Sequence, residues 1–479
     1  MNYGMILYIL GWILNFEAAF LTLPCLVAVL YQEQDGFAFL GVAVLCLVIG
    51  LIFSHKKPAN TSLYAREGFV IVSAGWIVMS AFGALPFVLN GDIPSYVDAL
   101  FETISGFTTT GASILADVEA LSKASLFWRS FTHWIGGMGV FVFILAILPL
   151  VGGFNMNLMK AESPGPSVGK LVPRVRNTAM ILYGIYFIIT VVEFVLLVAA
   201  GMTAFDAITH TFGTVGTGGF GTHSDSLAGF SPAIQNIVTV FMILSGVNFG
   251  AYFLIIHKKP RQVLKMEEVR MYLGIILASA LLIAFNVRDM FGSWGETLRH
   301  AFFQVGSIIT TTGFATVDFD LWPQFSKTIL IILMFVGACA GSTGGGIKVS
   351  RITILLKTIK KELRMISHPR SVKKIAMDGH RIEHEVVRST NVFIAVYFLV
   401  FFTSVLLLGM DELDFTTNFT AVAATLNNIG PGLELVGPTQ NFSIFSAPAK
   451  FVLMFDMLAG RLELFPMLLL FAPSSWKKY

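Results

Sequence analysis

Four short stretches hold the residues best suited to handling a bare ion: Thr108-Thr109-Thr110-Gly111, Gly216-Thr217-Gly218-Gly219, Thr310-Thr311-Thr312-Gly313 and Asn427-Asn428-Ile429-Gly430. Each ends in a glycine within otherwise apolar surroundings. Glycine has no Cβ and admits backbone conformations closed to other residues. A turn built on it can face carbonyl oxygens toward a central axis, where they replace the water shell of a dehydrated cation. The neighbouring hydroxyls are placed to steady the turn. A helix-like run precedes each turn and aims its C-terminal end, with its partial negative charge, at the same place.

Other chemistries find less support. Gly216, Gly218 and Gly221 spell G-x-G-x-x-G, but no strand precedes them and no dinucleotide-binding unit surrounds them. The run from Gly341 to Lys348, GSTGGGIK, imitates a phosphate loop, yet Ile347 separates Gly346 from Lys348 and Val349 follows where Ser or Thr is needed. His133, His210, His223 and His300 lie in or beside the outer connections at no metal-ligand spacing, so a membrane-embedded enzyme lacks its constellation. Cys25, Cys46 and Cys339 sit in apolar segments and read as buried small hydrophobes.

The elements that must position these turns are membrane spans. Of 479 residues 55% are hydrophobic and 13% charged, with a mean hydropathy of +0.76, which excludes a soluble domain. The first ~30 residues lack a basic leading region and a small-residue cleavage site, so they are expected to stay as a span. Apolar segments of crossing length fall near 5–31, 37–54, 68–90, 128–150, 180–202, 231–256, 271–288, 327–352, 390–409 and 449–472, about ten in all. The connections 55–66, 151–179, 257–270 and 351–389, with the tail, hold about 24 of the 32 Lys and Arg residues, against about six on the opposite side. Both termini are therefore expected in the cytoplasm. After spans three, five, seven and nine a further apolar segment, too short to cross, reads as re-entrant. These segments repeat one unit of span, re-entrant helix and span four times, with spans one and two outside the repeat. The fold class is all-α integral membrane around a central pore: 1–66 is an N-terminal helix pair, 67–179, 180–270, 271–389 and 390–479 the four pore repeats.

Two further features fall inside spans. Five glycines in ten residues over 337–346 cannot keep a continuous helix, at about 1 kcal/mol each relative to alanine. The span should break in mid-membrane beneath the turns, where such a break can act as a gate; close helix packing is the plainer alternative. Arg461 lies inside the last span, where an unpaired cation costs about 2.5–3.5 kcal/mol. It is either half of a structural ion pair with Asp456 or Glu463, or a pore-facing constriction. Glu193 is expected in a buried structural contact. The basic run over 351–388 reads first as a solvated cytoplasmic face.

The motifs TTTGAS at 108–113, TVGTGGFGTH at 214–223, TTTGFAT at 310–316, GACAGSTGGGIKVSR at 337–351, ATLNNIGPGLE at 424–434 and GRLELFP at 460–466 together resemble the TrkH-type subunit of the Trk/Ktr/HKT superfamily of potassium transporters, over nearly the whole chain. The resemblance implies potassium uptake across a bacterial cytoplasmic membrane through a filter of backbone oxygens at the four turns. It also implies a gate formed by Gly337, Gly341, Ser342, Thr343, Gly344, Gly345, Gly346 and Lys348 with Arg461. It implies a homodimer and a separate, TrkA-like cytosolic regulatory subunit that binds a nucleotide of the NAD or ATP class; no cofactor is expected in this chain itself. Ion-coupled symport with sodium or protons stays open beside a gated channel. The second turn departs from the pattern by its glycines, leaving its register open between Gly218 and Gly219, with Gly219 preferred because GGFGT then matches TGFAT. Serine in place of the first filter glycine goes with sodium selectivity in the plant branch, so Gly111 favours potassium.

Overall fold

The computed structural model describes residues 1–60, 63–151, 175–369, 374–473 and 476. The expected cytoplasmic connection over 151–179 and the basic tail therefore lie largely outside the described residues.

Helices α1 (Tyr3–Tyr31) and α2 (Gly36–Ser54) form the N-terminal pair. Small residues let their backbones meet: a Cβ on Gly11 would stand 2.8 Å from the Gly50 carbonyl oxygen, and one on Gly50 2.8 Å from that of Gly11. The first repeat comprises α3 (Ala65–Gly83) continued by α4 (Leu85–Asn90), the short α5 (Tyr96–Phe107) and α6 (Lys123–Val151). In the second, α7 (Val175–Ala199) and the short α8 (Ala204–Val215) precede α9 (Pro232–Ser245) and α10 (Phe249–Ile256), and α11 (Pro260–Val263) closes the unit. The third has α12 (Glu267–Asn286), α13 (Trp294–Ile309), α14 (Gln324–Val336) and α15 (Val349–Ser367). A two-stranded hairpin, Ala376–Met377 with His380–Arg381, leads to the fourth: α16 (His384–Leu408), α17 (Phe415–Leu426), α18 (Ala447–Arg461) and α19 (Phe465–Phe471). The outer faces of the spans carry exposed apolar side chains, among them Leu30, Phe37, Phe285 and Leu406, as a bilayer requires.

Three spans are broken, two of them where continuous helices were expected and the third at the glycines that predict its break. The segment over 231–256 bends by 93° between α9 and α10. Its freed backbone groups pair with the third repeat: Cys339 N–H donates to the Gly246 carbonyl at 3.0 Å, and Phe249 N–H to that of Gly341 at 2.9 Å. Asn248 restarts the helix by accepting from Gly250 N–H at 2.7 Å. The last span breaks after Arg461, where Glu463 and Leu464 take left-handed conformations (φ 56° and 66°). The span over 327–352 breaks where its glycines fall, with residues 337–348 non-helical between α14 and α15.

Candidate functional site: four turns closed into a ring

The same local chemistry starts each re-entrant helix. Ser95, Thr203, Ser293 and Asp414 occupy the N-caps of α5, α8, α13 and α17 in extended conformation, and each side chain accepts from the backbone N–H three residues on. Each helix then ends in one turn conformation. The second turn residue is left-handed in every repeat, Thr109 at φ 55°, Thr217 at 55°, Thr311 at 59° and Asn428 at 55°, as is the fourth, Gly111 at 79°, Gly219 at 82°, Gly313 at 84° and Gly430 at 102°. Left-handed, β-branched threonine is rare and strained by about 1–3 kcal/mol, and it persists only where its surroundings dictate it. All three threonines are fully buried. The left-handed glycine of the second turn is Gly219.

The turn amides point back into their own helices. Thr109 N–H donates to Gly106 at 3.1 Å and Thr110 N–H to Ser105 at 2.9 Å; Thr217 and Gly218, Thr311 and Thr312, and Asn428 and Ile429 do the same. With the amides so occupied, the carbonyl oxygens project the other way. A Cβ on Gly111 would lie 2.1 Å from the Gly218 oxygen, one on Gly219 2.0 Å from that of Thr312, one on Gly313 2.0 Å from that of Ile429, and one on Gly430 2.8 Å from that of Thr110. Each glycine thus abuts the carbonyl before the next repeat's glycine, and the series closes on itself. Four equivalent oxygens, from Thr110, Gly218, Thr312 and Ile429, share one ring, with Lys450 to Asp98 at 2.6 Å tying the fourth repeat to the first. The predicted filter residues are brought together.

Glycines that sequence reasoning passed over hold the ring from behind. A Cβ on Gly136 would meet the Phe107 carbonyl oxygen at 1.9 Å, one on Gly246 the Tyr272 hydroxyl at 2.3 Å and Thr310 Cγ2 at 2.9 Å, and one on Gly460 the Leu426 carbonyl oxygen at 2.1 Å. The signal was a glycine at a similar place in each second span. Side chains add braces: Thr108 and Thr110 hydroxyls share a hydrogen bond of 2.8 Å, as do Thr310 and Thr312, and the Tyr397 hydroxyl donates to Asn427 Oδ1 at 2.9 Å.

A mouth lined by Gly111, Gly219, Gly313 and Gly430 opens on one side of the ring. Its wall includes Arg129, half of a buried ion pair also missed from sequence: Arg129 Nε donates to Glu102 at 2.6 Å and Arg129 Nη1 to the Gly221 carbonyl at 3.1 Å. Glu102 accepts as well from Ser113 Oγ and Ile114 N–H, both at 2.9 Å.

The residues over 337–348 pack against the back of the ring. Gly345 N–H donates to Thr311 Oγ1 at 2.6 Å, and a Cβ on Gly345 would lie 2.4 Å from the Asn427 carbonyl oxygen; one on Gly344 would lie 2.9 Å from that of Thr310. Gly337, Gly341 and Gly346 are left-handed, at φ 72°, 70° and 75°, and so is Lys348 at 82°, whose Nζ donates to the Gly344 carbonyl. Ser342 Oγ donates to the Cys339 carbonyl at 2.6 Å and Thr343 Oγ1 to that of Ser245 at 3.2 Å. Arg461 Nη1 donates to the Thr343 carbonyl at 2.8 Å and Nη2 to that of Gly136 at 2.6 Å, so it links this loop to α6. The two carboxylates considered for it meet other groups, Asp456 accepting from Ser404 at 2.7 Å and Glu463 pairing with Arg351. Glu193 is fully buried in α7.

Comparison with known proteins agrees with this architecture. The family model described as TrkH, cation transport protein, matches residues 35–287 and 290–478. The chain is 39% identical over 486 residues to the Trk system potassium uptake protein TrkH of Salmonella typhimurium and 38% identical over 488 residues to that of Escherichia coli, with 100% of each chain covered. It superposes on the crystal structure of the potassium transporter TrkH from Vibrio parahaemolyticus with a TM-score of 0.89, at 37% identity and covering 100% of both chains. With its fold and its length matched, the chain belongs to the TrkH family of cation transport proteins.

Proposed function

We propose that this chain is the pore by which potassium enters the cell, and that the four turns are its selectivity filter. The reading is carried by the closed series of contacts in which each filter glycine abuts the carbonyl of the next repeat, placing four backbone oxygens in one ring. Oxygens in such a ring substitute for an ion's hydration shell. The names of the relatives, Trk system potassium uptake proteins, support potassium as the ion. An inside-negative potential contributes about 2.3 kcal/mol per elementary charge per 100 mV, which favours inward movement without further chemistry. The loop over 337–348, held to the ring by Gly345 and to α6 through Arg461, is the proposed gate.

The asymmetry of basic residues supports a cytoplasmic membrane location with both termini inside. The family membership supports the finer assignments: a homodimer, and a separate cytosolic nucleotide-binding subunit docking on the basic face that includes α15.

Purified protein in vesicles, with a clamped inside-negative potential and no gradient of sodium or protons, should admit potassium well above sodium. Entry that begins only when a sodium or proton gradient is imposed would instead establish coupled symport.

A further inference from the structure

The second filter turn is unlike its neighbours. In the first and third turns, threonines at the first and third positions hydrogen-bond to each other behind the ring, and in the fourth Tyr397 holds Asn427. The second has Gly216 and Gly218 at those positions and so lacks that pair of side chains; within the turn Thr217 Oγ1 donates only to the adjacent Gly216 carbonyl, at 2.7 Å. Two such glycines and a third at 219 leave the turn free to adopt many conformations. Yet its backbone angles match those of the others.

The space behind it is filled from elsewhere. A Cβ on Gly218 would lie 2.3 Å from both Cγ and Nδ1 of His133, and one on Gly216 2.5 Å from the His133 carbonyl oxygen. His133, on α6, is fully buried, and its Nδ1 donates to the Gly106 carbonyl in α5 at 2.7 Å. A carbonyl can only accept, so that bond fixes the tautomer. The imidazole packs on Phe220 with centroids 4.2 Å apart, and Phe220 in turn carries the Arg129 guanidinium 3.5 Å from its ring centre. The ring is thus wedged between the first re-entrant helix and the second turn, and it is anchored at both.

We propose that His133 is the positioning residue of the second filter turn, supplying through its imidazole the brace that paired threonines supply in the first and third. The inference rests on the reading of the turns as the filter. Without the ring the Gly218 carbonyl loses its fixed place, and discrimination between potassium and sodium suffers more than conduction itself.

The test compares potassium-over-sodium permeability of the full-length protein in vesicles. His133→Ala should lower the ratio about tenfold, the scale of one lost buried hydrogen bond, while potassium still enters. His133→Asn, which keeps a donor toward Gly106, should stay closer to the parent. Gly218→Ser alone should be impaired by collision with the ring. Combined with His133→Ala it should recover the ratio beyond either single change, because the new side chain enters the vacated space. If His133→Ala yields no folded protein, the same rescue is read with His133→Asn and Gly218→Ser. A parent-like ratio in His133→Ala, or a double variant equal to the product of the singles, would overturn the proposal. Gly313→Ser serves as the control: an unchanged ratio there would refute the filter reading itself, whereas a lowered ratio there with a parent-like His133→Ala would refute only the role of His133.

Discussion

Gly313 stands so close to Ile429 that a Cβ on the glycine would lie 2.0 Å from the isoleucine carbonyl oxygen, whereas the corresponding gap from Gly430 to Thr110 is 2.8 Å. The ring is therefore tight at three joints and looser at the fourth. Alanine at Gly111, Gly219 or Gly313 must displace a ring oxygen and also bear a left-handed conformation, a strain of about 1–3 kcal/mol that, with the ring as the proposed filter, should lower potassium flux roughly tenfold or more. Gly430→Ala should be the mildest of the four. Flux of the four variants per folded molecule would show it, and equal losses at all four joints would contradict the geometry.

A second prediction concerns the glycines behind the ring. Gly460 faces the Leu426 carbonyl oxygen at 2.1 Å from any added Cβ, while Gly184 in α7 has nothing within 4 Å. Gly460→Ala should lower thermal stability in detergent, because the backbone oxygen cannot retreat as a side chain can. Gly184→Ala should be neutral or stabilising by up to about 1 kcal/mol through helix propensity. Similar melting temperatures for the two variants would remove Gly460 from the support of the fourth turn.

These contrasts also mark what a sequence can disclose. The four turns were legible because a backbone that must be left-handed selects glycine, and because the unit recurs four times. The break after Val336 was legible because several glycines in a row defeat a helix. The bend at 246–248 was not, since only Gly246 and Asn248 mark it and the groups that satisfy its backbone, Cys339 and Gly341, lie in another repeat. Gly136 and Gly460 were not legible either, since the carbonyls that press on them, of Phe107 and Leu426, come from distant segments. Glu463 was weighed as a partner of Arg461, two positions away, but it meets Arg351 across 112 residues of sequence. Such pairings depend on topology, which local patterns do not contain.

The Glu102–Arg129 pair offers a third test, since both side chains are buried at the wall of the mouth. Arg129→Met removes the cation and strands a carboxylate, at a cost of about 3–5 kcal/mol. Adding Glu102→Gln should recover part of that loss, because the charge is gone while the amide oxygen can still accept from Ile114 N–H and the amide NH2 can donate to Ser113 Oγ. Thermal unfolding of the single and double variants reads the difference directly. A double variant no more stable than Arg129→Met would mean that the stranded charge is not what destabilises the single one.

Arg461 decides between a structural and a gating role for the break in the last span. Two of its hydrogen bonds end on backbone carbonyls, of Thr343 in the loop over 337–348 and of Gly136 in α6, so it staples the loop to the first repeat behind the ring. Its guanidinium also brings a positive charge near the path proposed for a cation, and repulsion between unit charges ~6 Å apart is of order 3 kcal/mol at an effective dielectric near 20. Arg461→Ala removes both staple and charge, and potassium flux per folded molecule should rise. Arg461→Lys keeps the charge but presents one ammonium in place of a two-armed fork, so it can hold one carbonyl well and the other poorly. Its flux should fall between parent and alanine variant if release of the loop matters, and stay at the parent level if charge alone limits the rate. Ion preference should stay close to the parent in both, because neither carbonyl belongs to the ring. Measuring flux, permeability ratio and thermal stability together separates the outcomes: lower stability with no gain in flux in either variant would make Arg461 a structural tie and place the gate elsewhere in the loop.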